Sequence, residues 1–376
     1  MPPPLTRRSL ARLLGAAAGA SLLEAPRLSA VARAPQADPA EPIRLNANEN
    51  PYGPCKAALY ALEGCGGVAA RYPGAEIEAA RATLARLHRV GPDQVVLGCG
   101  SSDVLRMADA AFLAPGQKIV AAEPTFEAVL GYAKVTRAEA VKVPLTPDFR
   151  HDLPAMARAC DASTGLVYVC NPNNPTGTIV SGKELEAFIA KVPPSCTILM
   201  DEAYHHLVED PSYRSALEIA PGRANVVVAR TFSKIYGMAG MRLGYGVATA
   251  GNAAAMERCA SWDNTSQAAL LMGIASLGDP GVVPRQRRLL NDTRAWLEAE
   301  LTKDGRRYIP SQANFVMIDV GRDVGPVGEE FRQRGILVGR RFPSMANWLR
   351  VSIGTPEQMA AFMTALRAVV PARAAA

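Results

Sequence analysis

Short apolar segments alternate with helical segments through most of this 376-residue chain, and this alternation restricts its fold more than any other feature. Runs typical of buried strands lie at residues 95–97, 118–122, 141–143, 166–170, 197–200, 226–229 and 245–248. Helical stretches separate most of these runs, and such alternation favours a parallel sheet with helices on both faces. We therefore predict an α/β fold built on a mostly parallel sheet.

The C-terminal part of the chain has a different pattern. A long amphipathic helix is predicted at residues 284–301, and short strands are predicted at 315–320, 337–338 and 349–353. This pattern favours a smaller α+β domain to which the N-terminal segment also contributes. The predicted boundaries are residues 35–70 for an N-terminal arm, 71–282 for the large domain and 283–376 for the small domain.

The first 34 residues resemble a targeting segment. Arg7 and Arg8 lie within Thr-Arg-Arg-Ser-Leu-Ala-Arg, which is similar to a twin-arginine export signal. An apolar stretch at 13–23 and small residues suited to cleavage come next, and a basic tail is the alternative. Export would place the protein in the periplasm, and otherwise it is cytoplasmic; fractionation of cells expressing an Arg7→Lys, Arg8→Lys variant distinguishes the two. We expect no stable membrane span, because no later apolar stretch is long enough.

Composition argues against several function classes. The content of 49% hydrophobic and 20% charged residues is typical of a globular protein. The net charge of +6 comes partly from the N-terminal arginines, and no basic patch is interleaved with aromatic residues, so we expect no nucleic-acid partner. The seven cysteines are scattered without the spacing of metal ligands, and we expect no metal. A Cys55–Cys65 disulfide is an alternative that stays open outside the cytoplasm.

Polar residues come directly after the predicted strands, at the position where α/β sheets place their ligand sites. Thr231, Ser233 and Lys234 come after the strand at 226–229, and Arg242 lies shortly beyond them. Taken alone, Lys234 is equally typical of a surface loop. The alternative is a Schiff-base lysine whose neighbouring hydroxyls and arginine bind the phosphate of pyridoxal phosphate.

Other strand ends offer the remaining groups that this cofactor requires. Asp201 is placed to keep the pyridine nitrogen protonated, although an aspartate there is also typical of a helix N-cap. Phe126 is either a ring-stacking residue or an ordinary core aromatic. The candidates for the phenolic oxygen are Asn174 and Tyr204, and those for the phosphate are Gly100, Ser101 and Ser102 at the start of a helix.

Three of these strand ends carry the motifs of a known family. The chain resembles the fold-type I, class I and II aminotransferases at Asn-Pro-Asn-Asn-Pro-Thr-Gly (171–177), Asp-Glu-Ala-Tyr (201–204) and Thr-Phe-Ser-Lys (231–234), the last followed by Arg242. It is similar to their histidinol-phosphate aminotransferase branch at Leu-Asn-Ala-Asn-Glu-Asn-Pro (45–51) and Arg-Tyr-Pro (71–73). The resemblance extends from about Leu45 to Gly354.

The resemblance implies a role for each candidate at the cofactor. Lys234 would bind pyridoxal phosphate covalently and carry the transferred proton. Asp201 would pair with the ring nitrogen, and Phe126 would stack on the ring. Tyr204 and Asn174 would hold the phenolic oxygen.

The resemblance also implies how the substrate and a second subunit are bound. Arg350 matches the family's arginine for the substrate carboxylate, a task that suits a planar bidentate donor. Asn48 and Asn314 would line the substrate pocket. Tyr72 would reach the cofactor phosphate of the partner subunit, which implies a homodimer with shared sites.

The predicted function is a pyridoxal-phosphate-dependent aminotransferase that moves an amino group between an amino acid, or a histidinol phosphate-like amine, and a 2-oxo acid. The substrate stays open, because Gly339 stands where the branch usually has a phosphate-binding arginine, and Arg340 and Arg341 come after it. A decarboxylase, lyase or amino-acid cyclase on the same fold is the alternative. The pair His205–His206 is expected on the pocket wall or the surface rather than at a metal, since adjacent side chains diverge.

Overall fold

The structure, a computed structural model, describes residues 41–371. The predicted signal in residues 1–34 lies outside this range and stays a prediction. No helix within the range is both long enough and apolar enough to cross a membrane. The same residues contain no cluster of His, Cys, Asp or Glu side chains suited to a metal ion.

The strands form one large and two small sheets. In chain order they are β1 (Ile43–Leu45), β2 (Val95–Cys99), β3 (Lys118–Glu123), β4 (Glu139–Pro144), β5 (Thr164–Cys170), β6 (Thr197–Asp201), β7 (Val226–Thr231), β8 (Leu243–Val247), β9 (Tyr308–Ile309), β10 (Phe315–Asp319), β11 (Ile336–Val338) and β12 (Trp348–Ser352). The large sheet has the order β2-β8-β7-β6-β5-β3-β4. Its neighbours are parallel except that β8 runs antiparallel to both β2 and β7. The predicted α/β fold with a mostly parallel sheet is confirmed.

Helices connect most of these strands. In chain order they are α1 (Lys56–Glu63), α2 (Gly74–His88), α3 (Ser101–Phe112), α4 (Ala128–Val135), α5 (Leu153–Ala159), α6 (Gly182–Lys191), α7 (Ala216–Ile219), α8 (Ala250–Glu257), α9 (Gln267–Gly278), α10 (Val282–Lys303), α11 (Val324–Arg332) and α12 (Pro356–Val369). Local sequence explains several of their starts. For example, Ser181 accepts a hydrogen bond from the backbone N–H of Glu184 and forms a capping box at α6.

Both faces of the large sheet are buried except at the edge strand β4, as expected for parallel strands covered by helices. All seven residues of β5 are buried, and their side chains alternate between two apolar clusters. Leu166 and Tyr168 pack with α3, α4 and α8, whereas Val167 and Val169 pack with α5 and α6. Because parallel strands bring their carboxyl ends to one edge, the polar segments after β2, β3, β5, β6 and β7 meet there.

The two small sheets join the ends of the chain. In one sheet, β10 lies between β9 and β12 and is antiparallel to both. In the other, β1 pairs in parallel with β11, with Ile43 opposite Ile336. The N-terminal segment therefore packs with C-terminal strands, as the predicted fold class requires. The boundaries 35–70, 71–282 and 283–376 stay predictions.

Several elements differ from the expectations of the sequence. The helix predicted to start at Phe126 begins at Ala128. Helix α9 is not predicted, because its own residues are apolar on nearly every side and no polar face marks a helical period in the sequence. Cys55 and Cys65 are free thiols rather than a disulfide: the first contacts Ser276 Oγ at 3.9 Å, and the second donates to the carbonyl of Ala61 at 3.2 Å.

An unpaired carboxyl group lies inside this fold. Asp109 in α3 is 1% exposed, and neither of its oxygens has a hydrogen-bond partner among the described residues. Burial raises the pKa of this carboxyl from 3.8 to about 8. The side chain therefore stays largely protonated at neutral pH in the folded protein.

We predict that Asp109→Asn stabilises the protein by an amount that grows with pH. The unfolded carboxyl loses its proton near pH 4, whereas the folded carboxyl holds it up to about pH 8. The folded state thus binds more protons across this interval, and the free energy of unfolding falls as the pH rises. Calorimetric Tm values near the two ends of the interval measure the effect, with the exposed Asp292→Asn as control. A gain in Tm that is independent of pH contradicts the prediction.

Candidate active site

A cavity of about 450 Å³ lies at the edge where the parallel strands end. All of the predicted site residues line it except Gly100, Tyr72 and Asn314. The cavity wall also contains Glu49 of the 45–51 motif, Arg340, and two residues that the sequence analysis does not single out, Cys170 and Phe342. The motif residues therefore come together at one place, and both ends of the chain contribute to the remaining wall.

Lys234 points its amine into this cavity from the segment after β7. Its Nζ donates to the carbonyl of Asn48 at 2.9 Å and lies 5.6 Å from the centre of the Tyr204 ring. Burial lowers the pKa of Lys234 from 10.5 to about 8, and the charge of Arg350 adds to this effect. A substantial fraction of the amine is therefore neutral near pH 8, which a nucleophilic lysine requires.

Asp201 ends β6 at the floor of the cavity. One carboxylate oxygen accepts a hydrogen bond from the Tyr168 hydroxyl at 2.8 Å, and the other accepts one from the backbone N–H of Ala203 at 3.1 Å. Burial raises the pKa of Asp201 to about 6. The group is thus mostly ionised at neutral pH and able to pair with a protonated ring nitrogen.

An anion-binding corner is formed by the start of α3 and the segment after β7. Gly100 has a φ of +80°, and a Cβ at this position would overlap the Arg242 guanidinium. Arg242 Nη1 in turn lies 3.4 Å from the Ser233 hydroxyl, which accepts a hydrogen bond from Thr231 at 3.0 Å. Free N–H groups at a helix start, hydroxyls and a guanidinium together suit a phosphate.

Asn48 connects the N-terminal segment to the rest of the site. Its Nδ2 donates to the Tyr204 hydroxyl at 3.1 Å, and its backbone N–H donates to Ser352 Oγ at 2.8 Å. Asn314 does not line the cavity but holds this segment from behind, with Nδ2 donating to the Asn48 carbonyl at 3.0 Å. Burial raises the pKa of Tyr204, so its hydroxyl stays protonated.

Arg350 on β12 brings a buried cation into the cavity. Its Nη1 donates to Asn174 Oδ1 at 2.6 Å, and its Nη2 donates to the Asn46 carbonyl at 2.9 Å. The guanidinium carbon lies 5.4 Å from the centre of the Phe342 ring, and its Nε has no hydrogen-bond partner in the described chain. Arg350 is 9% exposed, and it contacts no carboxylate of residues 41–371 in the cavity.

Arg340 supplies a second guanidinium at the margin of the same cavity. Position 339 cannot supply it, because a Cβ on Gly339 would approach the Arg350 carbonyl oxygen to 2.6 Å. Arg340 Nη2 donates to Glu127 Oε2 at 2.5 Å, and its guanidinium carbon lies 4.3 Å from the centre of the Phe342 ring. The guanidinium of Arg340 is therefore one residue later in the chain than the arginine expected from the resemblance to the histidinol-phosphate aminotransferase branch.

Tyr72 and the histidine pair 205–206 lie away from the cavity. Tyr72 is 85% exposed on the surface. His205 and His206 do not line the cavity. They are partly buried, with ring centres 3.7 Å apart and ring planes tilted by 44°, and His206 packs edge-on to Tyr236. Burial lowers the pKa of His206 to about 3 and keeps it neutral. Sequence spacing alone does not reveal this internal packing.

Comparison with known proteins identifies the family. Residues 40–366 match the family described as aminotransferase class I and II. The chain belongs to this family. A histidinol-phosphate aminotransferase from Moorella thermoacetica is 39% identical over 331 residues, which cover 87% of this chain and 85% of the relative. Another from Symbiobacterium thermophilum is 39% identical over 330 residues, which cover 87% and 90% of the two chains.

A solved structure agrees with this assignment. The histidinol-phosphate aminotransferase from Sinorhizobium meliloti in complex with pyridoxal-5'-phosphate has a TM-score of 0.83 and 26% identity, over 89% of this chain and 92% of that chain. This aminotransferase uses pyridoxal phosphate. The residues present fit this cofactor, because the Lys234 amine, the Asp201 carboxylate and the Gly100–Arg242 corner are chemically suited to its aldehyde, its ring nitrogen and its phosphate.

We predict that Gly100→Ala weakens pyridoxal phosphate binding by roughly tenfold or more, because the new methyl group displaces Arg242 from the phosphate corner. Gly116→Ala is the matched control, since Gly116 has a φ of +83° but open space around its Cβ position. It carries the same backbone strain without the contact. Equilibrium dialysis of the cofactor measures both variants. Equal loss of affinity in the two would contradict the prediction.

Proposed function

We propose that this aminotransferase takes an amine donor that carries a separate anionic group, and passes the amino group to a 2-oxo acid. The observation that carries the proposal is the presence of two arginines, Arg350 and Arg340, in one cavity with Lys234. Planar guanidinium groups favour carboxylate and phosphate ligands. Arg340 is proposed to bind the anionic group of the donor, and Arg350 to bind the carboxylate of an amino-acid donor or of the 2-oxo acid.

The cofactor supplies a ring that withdraws electrons from the carbon bearing the amino group. We propose that Asp201 keeps the ring nitrogen protonated and that Lys234 holds the cofactor covalently. Lys234 is a free amine at this stage, with a pKa lowered to about 8. It is proposed to remove the proton from that carbon and to deliver a proton to the cofactor carbon bonded to the same nitrogen. Tyr204 and Asn174 are proposed to hold the phenolic oxygen, and Phe126 to cover the ring.

The names of the relatives indicate which amine donors to consider first. Those from Moorella thermoacetica and Symbiobacterium thermophilum are named histidinol-phosphate aminotransferases. Histidinol phosphate carries one anionic group, its phosphate, and acidic amino acids carry a second carboxylate besides the one next to the amine. Arg340 suits either anion, so we propose histidinol phosphate as the first candidate donor and glutamate as the second.

We predict that the enzyme distinguishes matched donors by charge. In single-turnover reactions, the visible absorbance of the bound cofactor should change roughly 10- to 100-fold faster with histidinol phosphate than with histidinol, or with glutamate than with glutamine, at equal low concentration. This range corresponds to about 1.5–3 kcal/mol for a hydrogen-bonded charge. Arg340→Gln should abolish the preference for the charged donor.

Arg341→Gln is the matched control, because Arg341 Nε donates to Asp323 at 2.7 Å and Arg341 does not line the cavity. Equal rates with charged and neutral donors would exclude the proposed substrate class. Release of carbon dioxide or ammonia without formation of a 2-oxo acid would instead favour a decarboxylase or lyase.

We also propose a homodimer in which Tyr72 completes the phosphate site of the partner subunit. Tyr72 is 85% exposed and lies outside its own cavity, although the resemblance assigns it to a cofactor site. An exposed tyrosine that the resemblance assigns to a cofactor site is expected to contact the site of a second subunit.

Co-expression of two inactive variants tests this arrangement. In a mixed dimer of Lys234→Ala and Tyr72→Ala subunits, one of the two sites has both native residues. We predict that the mixture regains up to about a quarter of the wild-type sites, as random pairing of two subunit types requires. Each variant alone is the control. No recovery in a preparation that contains mixed dimers would contradict a shared site.

A further inference from the structure

A buried ion pair lies directly behind the active-site cavity. Arg230, near the end of β7, donates from Nη2 and Nε to Glu202 Oε2 at 2.7 Å and 3.1 Å. The side chains are 8% and 1% exposed. Glu202 comes immediately after Asp201, yet neither member of the pair lines the cavity. The pair is therefore close to the reacting groups without touching them.

The pair connects three parts of the fold. Glu202 Oε1 accepts a hydrogen bond from the backbone N–H of Ala216 at 2.7 Å, and the Ser215 hydroxyl contacts both carboxylate oxygens. Arg230 Nη2 donates to the same Ser215 hydroxyl at 2.8 Å. The ends of β6 and β7 and the start of α7 thus share one polar cluster. Such a cluster needs both charges, since one buried charge without the other carries a large desolvation penalty.

Arg230 has one ionised partner in the described part of the chain, and that partner is Glu202. The other titratable groups that face it are three histidines and three tyrosines: His88, His205, His206, Tyr213, Tyr236 and Tyr245. Burial lowers the pKa of the histidines and raises the pKa of the tyrosines, so all six are neutral near pH 7. Arg230 and Glu202 therefore neutralise each other.

Asp201 is close enough to this ion pair for the charges of the pair to affect its pKa. The groups that face Asp201 are Tyr168 and Cys170 from β5, Tyr204, and Lys234 after β7. Glu202 projects to the other side of the strand, because successive side chains alternate. Its charge still acts through the protein interior and raises the pKa of Asp201. A cation paired with Glu202 reduces this effect.

We propose that Arg230 and Glu202 are positioning residues for the reaction: Arg230 cancels the negative charge of Glu202, and the neutral pair lets Asp201 remain ionised against the protonated cofactor nitrogen. The inference rests on the proposed role of Asp201.

Single and double variants of the holoenzyme test the pair. The readout is the pH midpoint at which the visible absorbance of the bound cofactor titrates, with the Tm of every variant recorded beside it. Arg230→Gln leaves a buried carboxylate and should raise the midpoint. Glu202→Gln leaves a guanidinium that cannot lose its proton and should lower the midpoint. We expect shifts of about half a pH unit or more, as nearby buried charges produce, and a return close to the wild-type value in Glu202→Gln, Arg230→Gln.

Glu209→Gln is the matched control, because it removes the carboxylate partner of another buried arginine, Arg294, at 2.8 Å from a position outside the cavity. This change should leave the midpoint unaltered whatever it does to the Tm. Single variants that lower the Tm without opposite shifts of the midpoint would overturn the proposal, because a merely structural pair behaves so. If Arg230→Gln fails to fold, Glu202→Gln and the double variant carry the same comparison.

Asp201→Asn separates this inference from the function on which it rests. If Asp201 pairs with the ring nitrogen, the asparagine variant shifts the midpoint strongly, and Glu202→Gln in that background adds little. An unchanged midpoint in Asp201→Asn would show that the assigned role of Asp201 is wrong. A large Asp201→Asn effect combined with no effect of the Glu202 and Arg230 variants would overturn only the role of the pair.

Discussion

The active site depends on the convergence of strand ends at one edge of the large sheet. Strands β2, β3, β5, β6 and β7 run in one direction, so the segments that come after them lie side by side. Each strand is buried on both faces, and the sheet therefore fixes these segments more firmly than surface loops are usually held. Lys234 and Asp201 reach the same cavity because their strands are hydrogen-bonded neighbours, with Asp201 opposite Ala229.

Charge is distributed unevenly in this cavity. Lys234, Arg242, Arg340 and Arg350 line it, whereas Asp201 and Glu49 are the carboxylates in its wall. Glu49 also pairs with Arg44 at 3.2 Å, which reduces its influence inside. A surplus of positive charge around one cavity disfavours the folded state through self-repulsion unless anions bind, so bound pyridoxal phosphate and an anionic substrate of the proposed kind would stabilise the protein.

Features that arise from local pattern are the ones that the sequence predicts best. The strands from Lys118 to Thr231 are apolar and β-branched, and the polar residues at their ends indicate the site from the sequence alone. The hydrogen bond from the Tyr168 hydroxyl to Asp201 is not predictable in this way, because a tyrosine inside a buried strand resembles an ordinary core residue. Arg340 lies next to Gly339 in the sequence, but its approach to the cavity depends on how the loop after β11 folds. The internal packing of His205 and His206 likewise arises from tertiary contacts.

The bond between Asn48 and Ser352 spans 304 residues and closes the site between the two ends of the chain. Pairing of β1 with β11 holds the same segment in place. During synthesis, the segment around Asn48 emerges early but has no partner until the last strands have been made. The lysine, aspartate and phosphate corner can therefore be assembled before the substrate side of the cavity exists. Such non-local closure makes completion of the site a late event in folding, because its substrate side cannot form before β12 has been made.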